Sequence, residues 1–155
     1  MTVSTSMSGP MVEVVDPPTP WIKPVPSLDP LSTVYFTEAA NGRLLIERCP
    51  ACQRAQHYPR GWCVDCGGPV EWEASPGLGV IYSYTVVRQS GVPGFREEVP
   101  FVSALIDLDE GPRLLGTVTH CAVDSLRIGD RVQAYVVRMT PDLGLPMWRP
   151  TGSGA

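Results

Sequence analysis

The chain has 155 residues, 43% of them apolar, a formal net charge of −4 and five cysteines. That is one modest domain, or one domain with a small appendage, with enough apolar residues for a real core. The acidic balance argues against a phosphate backbone as partner, because that affinity comes largely from Lys and Arg, and no run approaches the roughly 20 uninterrupted apolar residues of a membrane span.

The opening MTVSTSMSGPMVEVV has no basic residue followed by an apolar run, so no secretory signal is expected. The expected setting is the cytoplasm, where thiols stay reduced and disulfides are rare. Eleven arginines stand against one lysine, Lys23. Genomic base composition accounts for that skew, and fixed bidentate anion contacts are the alternative.

Residues 1–30 read as an irregular arm. Pro17, Pro18, Pro20, Pro24, Pro26 and Pro30 remove backbone donors and fix φ, which favours extended polyproline-like chain over helix. Trp21 and Ile22 lie inside this stretch. Two readings stay open: a tail draped over its own domain, or an arm that docks on a partner with Trp21 as its anchor.

A short helix is predicted over 31–42. Asp29 can cap it, Pro30 suits the first helical position, and Asn41-Gly42 supplies a left-handed stop. Leu31, Val34, Tyr35 and Glu38 share one face at helical spacing. A helix this short is marginal alone. It must pack on its own core or on a partner.

Residues 43–75 form the expected ribbon. RLLIER reads as a strand leading into Cys49-x-x-Cys52, and Cys63-x-x-Cys66 is followed by PVEWEA, another strand-like run. A tight turn carrying two thiolates clasps one side of a tetrahedral metal, and two such turns complete it. Gly67-Gly68 lets the backbone turn sharply, with amides free to face sulfur. The ten residues between the pairs are fewer than the common 15–20. They still suffice for a hairpin carrying Tyr58, Pro59, Arg60 and Trp62. One structural zinc ion is the expectation, with iron in a rubredoxin-like role as the alternative. Four closed sulfur ligands leave no open position for a reacting water. His57 could replace a ligand, but four cysteines suffice.

Residues 76–150 read as a β-barrel and 151–155 as a tail. GVIYSYTVVRQ is rich in Val, Ile, Tyr and Thr, without internal Gly or Pro. After the loop SGVPGFREEVP, FVSALIDL and RLLGTVTH flank Asp109-Glu110-Gly111-Pro112, a strong hairpin signal. CAVDSLRIG reads as a connection and DRVQAYVVRM as the last long strand, with MWRP ending the fold. About five strands with one loose connection fit a small Greek-key barrel, the OB-fold. The fold class is therefore mainly β: short helix, rubredoxin-like zinc ribbon, five-stranded barrel.

The fifth cysteine, Cys121, follows His120. Neighbouring strand residues point to opposite faces, which places these two poorly as a nucleophile–base pair. A structural cysteine is the plainer reading and a reactive one the alternative. Glu97-Glu98 and Asp107 to Glu110 fit solvated turns better than paired catalytic carboxylates. There is no Gly-x-Ser-x-Gly, His-Glu-x-x-His, phosphate-binding loop or dinucleotide fingerprint.

Tyr35-Phe36 in a short helix, then GRLLIERCPAC, YPRGWCVDC, VEWEASPGLGVIYSYTVV, VPFVSALIDLDEGPRLLGTV, LRIGDRV and a closing WRP occur in that order. Over roughly residues 30–150 the combination closely resembles the zinc-ribbon OB-fold proteins associated with acyl-CoA metabolism, long filed as a domain of unknown function. The resemblance implies a non-catalytic partner of thiolase-superfamily enzymes. Some members bridge a thiolase and a hydroxymethylglutaryl-CoA synthase in archaea. Others join a lipid-transfer-protein-like thiolase in actinobacteria to form an aldolase that shortens steroid side chains, sometimes fused to a MaoC-like hydratase. This chain looks like the stand-alone version or an excised domain.

By that resemblance Cys49, Cys52, Cys63 and Cys66 carry over as metal ligands, and no catalytic residue does. A hetero-oligomer without nucleic acid or membrane is implied. Arg60 is the candidate contact for a CoA phosphate or a partner carboxylate, with Tyr58 and Trp62 beside it; an ordinary surface arginine is the plain reading. Trp21, Tyr35 and Phe36 are the candidates for partner docking. Two other functions stay open. A nucleic-acid-binding OB-fold would stack bases on Tyr82, Tyr84 and Phe101. A stand-alone acyl-CoA hydrolase would depend on Cys121.

Overall fold

Residues 8–152 are described by a computed structural model. The chain enters extended and adds a two-residue strand, β1 (Val14–Val15), parallel to a barrel strand. The arm then lies along its own barrel. Lys23 reaches between the rings of Trp21 and Phe95, at 5.0 and 5.1 Å from their centroids, and pairs with Glu98 at 2.6 Å.

Helix α1 (Pro30–Ala40) starts where the sequence places it. The Asp29 carboxylate accepts the Ser32 N–H at 2.7 Å and the Ser32 hydroxyl at 2.6 Å. Those bonds hold the Asp29 carboxyl below its ordinary pKa, the hydroxyl first. At the other end Asn41 has φ −90°, and only Gly42, at φ +81°, is left-handed. The buried face also differs from expectation. Tyr35, Ala39 and Ala40 are buried, whereas Leu31, Val34 and Glu38 are half-buried and Glu38 pairs with Arg43 at 2.6 Å. Two alanines let the helix backbone press on the barrel. A Cβ on Gly144 would sit 2.6 Å from the Ala40 nitrogen, so only glycine fits there.

The ribbon sheet has the order β3 (Ala55–Gln56), β2 (Leu44–Arg48), β4 (Glu71–Ser75), all antiparallel. Leu44, Leu45, Ile46 and Glu47 are all buried, so β2 is covered on both faces. That is why it reads as a continuous apolar run rather than an alternation.

The barrel is β5 (Leu78–Val87), β6 (Phe101–Leu108), β7 (Arg113–Val118), β8 (Arg131–Thr140) and β9 (Leu143–Pro150). The circuit runs β5-β6-β7-β9-β8 and back to β5. Every neighbour is antiparallel except β7–β9, which meet in parallel at Val118 and Trp148. This is the closed five-stranded OB arrangement. On β6, Val102, Ala104, Ile106 and Leu108 point inward with period two. Strand β5 changes phase at Tyr82: Ile81 opposes Ile106, but Tyr84 opposes Ala104, so one residue is bulged out. Tyr84 thereby turns toward the core, and its hydroxyl donates to the Leu126 carbonyl at 2.8 Å.

The fifth strand corrects the sequence reading. DRVQAYVVRM is not the last long strand, because β9 pairs with β8 from Leu143 to Pro150. Gly144, Pro146 and Pro150 hide it from propensity. Its Trp148 is fully buried in the barrel.

Candidate metal centre and the hairpin it holds

The two cysteine turns are copies of one another. The Cys49 carbonyl accepts the Gln53 N–H at 2.8 Å and the Cys49 N–H donates to the Arg54 carbonyl at 2.9 Å. The Cys63 carbonyl accepts the Gly67 N–H at 2.9 Å and the Cys63 N–H donates to the Gly68 carbonyl at 2.8 Å. Each turn closes on a left-handed residue, Gln53 at φ 63° and Gly67 at φ 73°. Gly68 lies close over the sulfurs: a Cβ there would meet the Cys66 Sγ at 3.3 Å.

These turns bring all four sulfurs within 4.8 Å of one another, with Cys49–Cys66 and Cys52–Cys63 at 3.5 Å. Tetrahedral zinc with bonds of about 2.3 Å needs sulfurs roughly 3.8 Å apart. The donor set fits a single zinc ion. The electrostatics agree with thiolate ligation. The Cys66 and Asp65 backbone amides hold the Cys63 thiol down to about 7, and the Cys52 and Ala51 amides lower Cys49. Cys52 accepts from the Arg54 amide and Cys66 from the Gly68 amide. Both still lie above the ordinary thiol value, because Cys52 competes with Cys63, and Cys66 with Cys49, for a shared hydrogen-bonding proton. A dication removes that competition.

Behind the metal turns sits a group the sequence reading did not single out. Glu47 is 2% exposed. One of its carboxylate oxygens accepts from Gln56 Nε2 at 2.7 Å and from the Arg60 N–H at 2.8 Å, and the other from the Gly61 N–H at 2.9 Å. Gln56 extends the network: its amide donates to the Trp62 carbonyl at 2.8 Å and its oxygen accepts the Val64 N–H at 3.1 Å. A charged residue within an otherwise buried strand was the available signal, since such a group needs partners.

The candidate residues fall into three groups. Tyr58 and Trp62 are exposed on the hairpin, at 52% and 58%. Arg60 lines a cleft of about 630 Å³ between the hairpin and the β6–β7 turn, together with Arg54 and Arg113. Arg54 is paired with Asp65 at 2.7 Å and Arg113 with Asp107 at 2.6 Å, while the Arg60 guanidinium has no ion pair among the described residues. Tyr35 is buried in the protein's own core, with Phe36 packed edge-on against it at 5.2 Å. Trp21 lies in the arm described above.

Away from the ribbon, the Thr119 hydroxyl contacts His120 Nδ1 at 2.9 Å and the Tyr135 hydroxyl at 2.6 Å. Cys121 beside it is half-buried, and that burial pushes its thiol pKa up, the opposite of what a nucleophile needs.

A family model described as the ChsH2 rubredoxin-like zinc ribbon domain matches residues 36–73, and one described as the ChsH2 C-terminal OB-fold domain matches residues 72–137. A DUF35 domain-containing scaffold protein of Methanocaldococcus jannaschii is 32% identical over 101 residues, which is 64% of this chain and 71% of that protein. The chain belongs to the DUF35 family. As in that family's ribbon domain, the four cysteines form a site for one zinc ion. This DUF35 chain is also 35% identical over 131 residues to a probable enoyl-CoA hydratase alpha subunit of Thermomonospora curvata. That match covers 83% of this chain but spans only 40% of the relative's length. Among solved structures, a chain of the Ltp2-ChsH2(DUF35) aldolase superposes with a TM-score of 0.75 and 34% identity, covering 83% of this chain and 100% of that one. Among the described residues no helix is long and apolar enough to cross a membrane.

Proposed function

We propose that this chain is a non-catalytic accessory subunit. It binds and supports a thiolase-superfamily, lipid-transfer-protein-like enzyme that acts on acyl-CoA thioesters, in a cytoplasmic hetero-oligomer without nucleic acid. Carbon–carbon cleavage of a steroid CoA ester by retro-aldol chemistry is the finer form of this reading. The observation that carries it is the likeness to the whole DUF35 chain of the Ltp2-ChsH2 aldolase. The scaffold name of the archaeal relative points the same way.

The chemistry of the site supports that reading. Cys49, Cys52, Cys63 and Cys66 hold zinc as a closed tetrahedron, which braces the hairpin and leaves no position for substrate. The raised Cys121 thiol offers a poor nucleophile. What the ribbon presents outward is a recognition surface: exposed Tyr58 and Trp62, and Arg60, whose guanidinium is available for a CoA phosphate or a partner carboxylate. The alpha-subunit name of the Thermomonospora relative also denotes a protein that works within an assembly. Co-expression with a lipid-transfer-protein-like thiolase tests the proposal. The two chains are expected to co-elute in size exclusion after affinity capture of either one; separate elution at micromolar concentration contradicts it.

A further inference from the structure

The barrel carries two leucines in the outward phase of its strands. On β6 the inward set is Val102, Ala104, Ile106 and Leu108, which leaves Leu105 pointing outward, 36% exposed. On β7 Leu114 and Val118 are buried, and Leu115 is 58% exposed. The two leucines are cross-strand partners, so their side chains lie side by side on the outer face. The stripe continues in both directions. Towards β5, the bulge at Tyr82 leaves its exposed ring outside the barrel, and the Arg113 guanidinium stacks on that ring at 3.2 Å from the centroid. Towards the ribbon, the Leu115 N–H donates to the Tyr58 hydroxyl at 3.4 Å, which sets the exposed Tyr58 at the end of the stripe. Apolar side chains exposed singly need no explanation, but four adjoining ones across three strands and a hairpin mark an interaction surface.

The charge beside the stripe selects the occupant. Tyr58 borders the cleft that holds Arg54, Arg60 and Arg113, and the carboxylate lining that cleft, Asp107, is already bonded to Arg113. This rim is basic in a chain whose formal net charge is −4. The complementary partner has an apolar centre and carboxylates at its rim. A second copy does not supply them. In a two-fold contact the same patch meets itself, and its Asp107 is taken by its own Arg113. We propose that this stripe is the face on which the thiolase-like enzyme docks, with an apolar patch of the enzyme on Leu105 and Leu115 and a carboxylate against Arg60. The inference rests on the accessory-subunit proposal and adds the surface through which that subunit works.

The probe is a lipid-transfer-protein-like thiolase immobilised for surface plasmon resonance, with the zinc-loaded full chain as analyte. Leu115→Glu should weaken binding at least tenfold. Arg60→Glu should weaken it at least fivefold, mainly through slower association, and flatten its salt dependence. Met11→Glu, at an exposed apolar residue beside Gly42 and away from the stripe, should bind within twofold of wild type. Zinc content and circular dichroism check that each variant is folded, and Arg60→Glu, on the exposed hairpin, decides the matter if Leu115→Glu disturbs the barrel. Wild-type binding that either folded variant leaves intact overturns this docking face and leaves the accessory role standing. No binding by wild type overturns the accessory role and this inference with it. Self-association of the wild type that Leu115→Glu abolishes, read by sedimentation velocity, assigns the face to a second copy and also overturns the inference.

Discussion

Glu47 on β2 and Gln56 on β3 face each other across the ribbon sheet, joined by a 2.7 Å hydrogen bond, and between them they hold the backbone of Arg60, Gly61, Trp62 and Val64. The hairpin is therefore fastened at both ends. Sulfur turns close it on one side, and a buried carboxylate–amide pair closes it on the other. The side chains it exposes owe their placement to backbone contacts made by the same residues.

Replacing Glu47 by Ala strips the buried Gln56 amide and the backbone amides of Arg60 and Gly61 of their carboxylate acceptor. The expected loss of stability is about 2–5 kcal/mol, at about 1–3 kcal/mol per unsatisfied group. Urea unfolding followed by Trp fluorescence measures it. Glu47→Gln keeps the volume but turns an NH₂ toward at least one of those donors, and a smaller loss of about 2 kcal/mol is expected.

Cys63→Ser should abolish stoichiometric zinc and melt the ribbon, because structural zinc affinity is folding energy on the order of 10 kcal/mol. Metal analysis after desalting reads the first effect. Loss of the ribbon amide signals in a two-dimensional NMR spectrum, with the barrel signals kept, reads the second. A variant with full zinc and an unchanged melting curve contradicts the assignment of ligands.

His57 gives a pH prediction. Burial lowers its pKa to about 4 from the ordinary 6.5. The folded state therefore prefers the neutral ring. Its contribution is fully present above pH 6.5 and is lost as pH falls through the window from 6.5 to about 4. The loss is on the order of 3 kcal/mol for that single group. The zinc thiolates also protonate in acid, so the ring itself must be followed. The His57 imidazole NMR shifts should titrate near 4. A midpoint near 6.5 contradicts the burial.

Gly144→Ala tests how the helix is seated. The added methyl would meet the Ala40 nitrogen at 2.6 Å and the Val136 Cγ1 at 2.5 Å. Backbone cannot yield as a flexible side chain does. A cost of about 1–3 kcal/mol is expected for such overpacking. A thermal melt at neutral pH measures it.

Much of this was legible in the sequence, and the reasons are specific. Asp29, Pro30 and Gly42 mark the helix because capping chemistry is local. The four cysteines mark the ribbon because a tetrahedral ion dictates their spacing. The Asp109–Pro112 turn is likewise a local signal. Strand β9 was hidden, because a strand containing Pro146 is tolerated only through its tertiary pairing: β8 pairs with it along its length, and β7 touches it at one position. The role of Glu47 was hidden for a related reason. Its partners lie 9 to 14 residues away, and no local pattern announces a backbone that needs an acceptor. Arg60 was singled out for its side chain, whereas the structure first uses its backbone amide.

The most direct test of the accessory role is turnover of an acyl-CoA thioester by the thiolase-like partner, measured with and without this chain and with this chain alone. The account predicts activity only when both are present, no turnover by this chain alone, and loss of the stimulation when Cys63→Ser removes the ribbon. Full activity of the partner by itself, or turnover by this chain alone that disappears in Cys121→Ala, would contradict it.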